Sequence, residues 1–162
     1  MPASPPTDIN PDTGSRLPLP DRDALEEWGQ AQYDRYANFQ DGAIMGLKGP
    51  SALSLHSPDV MKHAGPLNGY LRFHTDLGAE LRELAILITA REMDSHFEWA
   101  AHEDESQKEG VPAKVVDVVK HRKSTDGLSD DHKLVIDYGR AVLRDHAVPP
   151  ELFAKLRERF GP

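Results

Sequence analysis

Apolar positions recur at helical spacing along most of the chain, and no segment shows the strict alternation of a strand. The densest run, Leu84-Ala85-Ile86-Leu87-Ile88-Thr89-Ala90, is broken only by Thr89. It predicts a helix buried on every side. The stretch 78–110 reads as two consecutive helices joined by a tight turn, the second opening at Ser95. Upstream, Asp21, Asp23, Glu26 and Glu27 crowd a helix start, where the macrodipole favours negative charge. Leu25, Trp28, Tyr33 and Tyr36 give that helix a partial apolar stripe, and it is expected to end between Asn38 and Gly42. Residues 42–66 are rich in glycine and proline breakers. Two short helices are predicted around them, from Pro58 to His63 and from Pro66 to Phe73, the second with Leu67, Tyr70 and Leu71 inward. His74-Thr75-Asp76 leads into the central pair.

After Gly110, a helix is predicted from Val111-Pro112 to about Arg122. Its four valines suggest a strand, but the interleaved Lys114, Asp117 and Lys120 favour a helix. Ser129-Asp130-Asp131 is a helix cap. The helix behind it is expected to bury Leu134, Val135, Tyr138, Val142 and Leu143. Pro149-Pro150 opens a last helix to Phe160, with Leu152, Phe153, Leu156 and Phe160 inward. The expected class is all-α.

Composition narrows the partners. The chain has 162 residues, 38% of them hydrophobic, and a formal net charge of -8. Such a length suits one core, hence a single helical domain over 21–162. Residues 1–20 hold six prolines and little apolar surface, so they are expected to form a tail or an arm across a neighbour. The acidic balance argues against nucleic acid and anionic membranes as partners. A small anionic substrate needs only a local cation cluster. No cysteine is present, which excludes disulfides, thiol catalysis and cysteine metal sites. No run approaches the roughly 20 apolar residues of a membrane span, and no apolar secretory core is visible. A cytoplasmic location is expected.

The candidate chemistry lies in the central pair. Glu98 and His102 are four residues apart, one turn apart on a shared helix face. Such a pairing favours imidazolium and fixes the ring. Glu83 begins the apolar run, as either a surface carboxylate or an acid–base group at an apolar pocket. Ser95 and Glu98 also match the capping box, in which Glu98 folds back onto its own helix start. Trp99 reads as a core anchor. Arg82 and Arg91 are candidate clamps for a substrate carboxylate, and His74 is a candidate lining residue. A shared metal on Glu83, Glu98 and His102 lacks a second histidine on that face, so no metal and no cofactor are expected.

The run LRELAILITAREMDSHFEWAAHEDESQKEGV resembles the signature region of the carboxymuconolactone decarboxylase family, within the alkylhydroperoxidase D-like superfamily. The likeness is strongest from His74 to Val111 and looser from Trp28 to Phe160. It implies an alkylhydroperoxidase D-like helical fold around a central antiparallel helix pair, assembled as trimers or hexamers. The peroxidase branch carries Cys-x-x-Cys where this chain has Ser95 and Glu98; its relay glutamate falls on Glu83 and its histidine on His102. With no thiolate there is no peroxide-reducing nucleophile. The cysteine-free branch, where decarboxylases lie, is what remains. The resemblance thus implies a cofactor-independent decarboxylase of aromatic-compound catabolism, acting on a small carboxylated lactone. Glu83, Glu98 and His102 are its catalytic residues, and His74, Arg82 and Arg91 hold substrate. A non-catalytic assembly protein and a Glu/His metal protein are the alternatives.

Overall fold

The computed structural model describes residues 7–40 and 43–162, and the chain falls into two units, Met1–His74 and Thr75–Pro162. Among the described residues there are eight α-helices and one 3-10 turn, and a single isolated bridge, Asn10 with Ser15, in place of any strand. The all-α class holds.

In the first unit, the part of the proline-rich segment that is described is folded. Thr13 is fully buried, its hydroxyl donating to the Leu17 carbonyl at 2.7 Å while its own carbonyl accepts from Gly49 N–H at 2.7 Å. The His56 ring bonds the Pro18 carbonyl at 2.8 Å. Side-chain and backbone hydrogen bonds therefore hold a stretch too poor in apolar area to be held by burial. Residues 1–6 of the expected arm lie outside the described residues. After the 3-10 turn Arg22–Ala24 comes α1, Glu27–Ala37. Arg22 grips Asp34 on it through two bonds of 2.7 and 2.6 Å. Tyr36, Ala43 and Leu55 form the small core, with Leu19, Tyr33 and Leu47 against it. Gly42, at the edge of the expected helix end, lies outside the described residues.

Next come α2, Pro50–Ser54, and α3, Pro58–Phe73. The two short helices expected here are one. Pro66 sits inside α3 without ending it. Proline removes one backbone bond and crowds the preceding turn, yet the 16-residue helix continues through it. Leu67, Tyr70 and Leu71 are not inward within this unit: they are 60%, 56% and 54% exposed.

The second unit is built around α4, Ala79–Glu92, and α5, His96–Lys108. The turn at 93–95 reverses the chain, with Asp94 at φ 50°, so the two helices pack antiparallel. Then follow α6, Ala113–Lys120, α7, Asp130–Leu143, and α8, Pro150–Phe160. Ser129 caps α7 as expected, accepting from His132 N–H. Leu84, Leu87 and Ile88 of α4 meet Val115, Val116, Val118 and Val119 of α6 and Ile136 of α7 in one core. Each such side chain contributes about 1.5–3 kcal/mol by leaving water. At the α4–α7 crossing, Gly139 lies so close that a Cβ there would stand 2.4 Å from Ile88 Cγ2.

Three expectations are corrected here. The central run is not buried all round: Ala85 and Ile86 are half-buried, and Thr89 is exposed, its hydroxyl donated back to the Ala85 carbonyl at 2.9 Å. On α7 the buried face is Ile136, Arg140 and Ala141, while Tyr138 and Val142 are exposed. On α8 Leu152 and Leu156 are half-buried, and Phe153 and Phe160 are exposed. The helical spacing holds on both; on α7 Val135 and Ile136 reach the core, and on α8 Leu152 and Leu156 are the more sheltered positions.

Candidate active site

The α4–α5 pair positions one polar cluster inside this apolar setting. Glu83 lies one turn into α4 and is 1% exposed; His102, in the middle of α5, is 7% exposed. His102 Nδ1 and Glu83 Oε2 are 2.7 Å apart. A carboxylate only accepts, so with Glu83 ionised Nδ1 carries the proton of this bond, and Nε2 is the ring nitrogen turned away from Glu83. Burying a lone carboxylate is prohibitive, and this bond is part of what makes Glu83 tolerable there. Arg82 Nε lies 3.6 Å from Glu83 Oε1, and its terminal nitrogen 3.8 Å from Glu109.

Glu98 lies on the other side of the ring, its Oε2 3.8 Å from Nε2. It is 37% exposed by side chain, against 8% for His102 and 1% for Glu83. The three groups therefore form a graded line from the core to solvent. The capping box does not form: Ser95 makes no side-chain cap bond, and Glu98 turns to His102 rather than to its own helix start. A 3.8 Å gap is too long for a direct bond; one water or a small side-chain shift closes it.

Of the six residues singled out from sequence, four come together here: Glu83, Glu98, His102 and Arg82. Arg91 does not. It stands at the far end of α4, where Nε donates to the Lys120 carbonyl at 2.8 Å and the guanidinium meets Asp94 at 2.8 Å. These bonds tie α4 to the end of α6. His74 closes the first unit at the end of α3, stacked on Tyr70 with ring centroids 6.5 Å apart. Trp99 packs against the core as expected, and its Nε1–H donates to Glu103. Among the described residues no group of three or more His, Asp or Glu side chains is placed to hold a metal ion. Among them also, no helix is long and apolar enough to cross a membrane.

One buried carboxylate escaped the sequence reading. Glu92, at the last position of α4, has its side chain 2% exposed between Arg122 Nε at 3.3 Å and Arg140 Nε at 3.7 Å. Arg140 also donates to the carbonyls of Lys123 and Val118. Burial pulls its guanidinium below its usual range and Glu92 draws it back. Arg122, which burial pushes down, is lifted above its ordinary value by Asp94 and Glu92. A sequence signal existed: Arg140 falls on the same face of α7 as Ile136, a cation in a core stripe, which calls for a buried partner.

No known protein family, no curated protein and no solved structure matches this chain.

Proposed function

We propose that the second unit is a cofactor-independent acid–base enzyme, a decarboxylase of the carboxymuconolactone type acting on a small carboxylated lactone or ring compound. The observation that carries this reading is the buried 2.7 Å bond between Glu83 and His102 with a second, part-exposed carboxylate, Glu98, 3.8 Å from the other ring nitrogen. The motif resemblance supports the same residues.

The substrate carboxylate leaves as CO₂ and its bonding pair moves into the conjugated lactone carbonyl, giving a dienolate. Carbon then takes a proton. His102, protonated on Nε2, donates it; Glu83 holds the ring orientation and stabilises the imidazolium. Glu98, open to solvent, returns the proton to Nε2. Arg82, with its side chain only 16% exposed, offers a cation to a substrate carboxylate. Arg91, bonded to the Lys120 carbonyl and to Asp94, takes no part in this scheme.

Purified protein is assayed against carboxymuconolactone by the ultraviolet loss of the conjugated lactone. Turnover is expected, and His102→Ala and Glu98→Gln each abolish it. Undiminished activity in both variants removes the assignment.

A second reading, an assembly protein without chemistry, is favoured by one observation: Tyr138, Val142, Phe153 and Phe160 leave apolar surface on α7 and α8 exposed. Exposed apolar patches often mark association. Light scattering separates the cases: assembly without turnover favours the second reading, and an 18.0 kDa species alone counts against it.

A further inference from the structure

Carbon protonation closes the proposed reaction, and the arrangement of the relay is the same for giving a proton and for taking one. His102 is anchored on one side: Nδ1 is bonded to Glu83 at 2.7 Å, and Nε2 lies 3.8 Å from Glu98. Side-chain exposure rises along that line, from 1% for Glu83 to 8% for His102 and 37% for Glu98. We propose that the site has a second activity, on a small neutral carbonyl compound that carries no carboxylate. It removes a proton from the carbon beside the carbonyl group and returns one from solvent. The hydrogen is thereby exchanged and, where a neighbouring double bond is conjugated through the enolate, that bond is shifted. This activity rests on the acid–base reading of Glu83, His102 and Glu98 given above.

Three features support it. The first is the fixed ring. With Nδ1 held by Glu83, Nε2 is the nitrogen left to trade protons with a substrate, and the imidazolium formed on taking one is stabilised by the Glu83 carboxylate. Imidazole gains and loses its proton near neutrality, so one group serves as base and then as acid. The second is the position of Glu98. Ser95 and Glu98 have the spacing of a capping box, yet Ser95 makes no cap bond and Glu98 faces His102. A part-exposed carboxylate one water away from Nε2 joins the ring to solvent in both directions. The third is the inner side. Leu84, beside Glu83 in the chain, and Leu87, one turn on, are 0% exposed, so the Glu83 end of the line is closed to water and protons come and go by way of Glu98. The step balances without a co-reactant. The C–H bond breaks, its electron pair moves into the carbonyl to give an enolate, and the proton goes to Nε2. Glu98 passes it to solvent, and a solvent proton returns along the same path, to the first carbon or to the far carbon of a dienolate. No carbon–carbon bond breaks, so the substrate needs no carboxylate.

The test is to incubate the full chain in heavy water with α-angelica lactone, a neutral unsaturated lactone, and to follow its ring methylene by proton NMR. Carboxymuconolactone is assayed in parallel. The methylene signal is expected to disappear faster than in buffer alone, with the conjugated isomer appearing in deuterated form. His102→Ala should lower that rate by about 10²–10⁴. Glu98→Gln, at a part-exposed position, should lower it about tenfold with helix content by circular dichroism unchanged, and it carries the test if the His102 variant does not fold. Decarboxylation without exchange overturns the proposal and leaves the decarboxylase reading standing. Exchange without decarboxylation supports the proposal and removes that reading. Absence of both reactions, or exchange that Glu98→Gln leaves undiminished, overturns the proposal.

Discussion

Helix α4 carries two buried glutamates, and their surroundings could hardly differ more. Glu83 near its start is paired with an imidazole; Glu92 at its end is held between two guanidinium groups. Nine residues separate them, about half a turn out of phase, so one faces α5 and the other faces α6 and α7. A guanidinium keeps its charge at any ordinary pH and presents its donors as a rigid fork. Glu92 is thus neutralised permanently, and its corner joins the ends of α4, α6 and α7. An imidazole gives up and regains its proton near neutrality. Glu83 is instead hydrogen-bonded to a ring that can carry a proton, and the relay proposed above rests on that bond and on Glu98 3.8 Å from the other ring nitrogen. Burial alone does not distinguish a structural carboxylate from a chemical one. The nature of the counter-charge does.

That contrast can be broken from either side. The largest effect is expected on turnover: His102→Ala should lower it by about 10²–10⁴, the usual contribution of a positioned acid–base group, while urea unfolding of the same variant shows a far smaller loss. The reverse pattern is expected at the other corner. Arg140→Met leaves Glu92 with one partner at the protein edge and should cost about 3 kcal/mol in urea unfolding, with turnover per folded molecule unchanged. A variant of intermediate cost calibrates the packing between the two corners. Gly139→Ala forces a methyl group into Ile88 and should cost about 1–3 kcal/mol by thermal or urea unfolding. Glu83→Gln sharpens the comparison further. It keeps an acceptor for Nδ1–H but removes the charge, so stability should change by about 1 kcal/mol or less while turnover falls steeply.

The smallest effect concerns pH. Asp131 receives two bonds of 2.7 Å from Arg159, which hold its carboxyl below the usual range and tether α8 to α7. A depressed folded-state value means the tether is fully present above the ordinary carboxylate range. As pH falls through that range the unfolded state takes up the proton first, and the contribution is gone once the folded carboxyl protonates too. Amide exchange along α8 should therefore quicken in acid before the rest of the unit loosens. The Arg159 side chain is 55% and that of Asp131 34% exposed, so the effect is small and shrinks with added salt.

The sequence was most legible where one helix decides the matter. The span 78–110 divides into α4 and α5 as its pattern predicts, and the four-residue spacing brings Glu98 to the same face as His102. It was least legible where helices must meet. Nothing local says that Glu83 reaches His102 across 19 residues, or that Glu92 reaches Arg140, because both depend on how α4 packs. Arg91 looked like a clamp because its charge is visible in sequence and its bond to the Lys120 carbonyl is not. Pro66 looked like a break because proline usually is one, and here the helix runs through it. On α7 and α8 the period is right and the face only in part: Val135, Leu152 and Leu156 turn inward as expected, while Tyr138, Val142, Phe153 and Phe160 are exposed.

The claim on which the rest turns is that His102 is a proton carrier whose Nδ1 is locked to Glu83. Ring-nitrogen NMR of the intact protein across the neutral range tests it without any substrate. The account predicts a proton on Nδ1, shifted far downfield by the short bond to Glu83. A bare Nδ1 would contradict it.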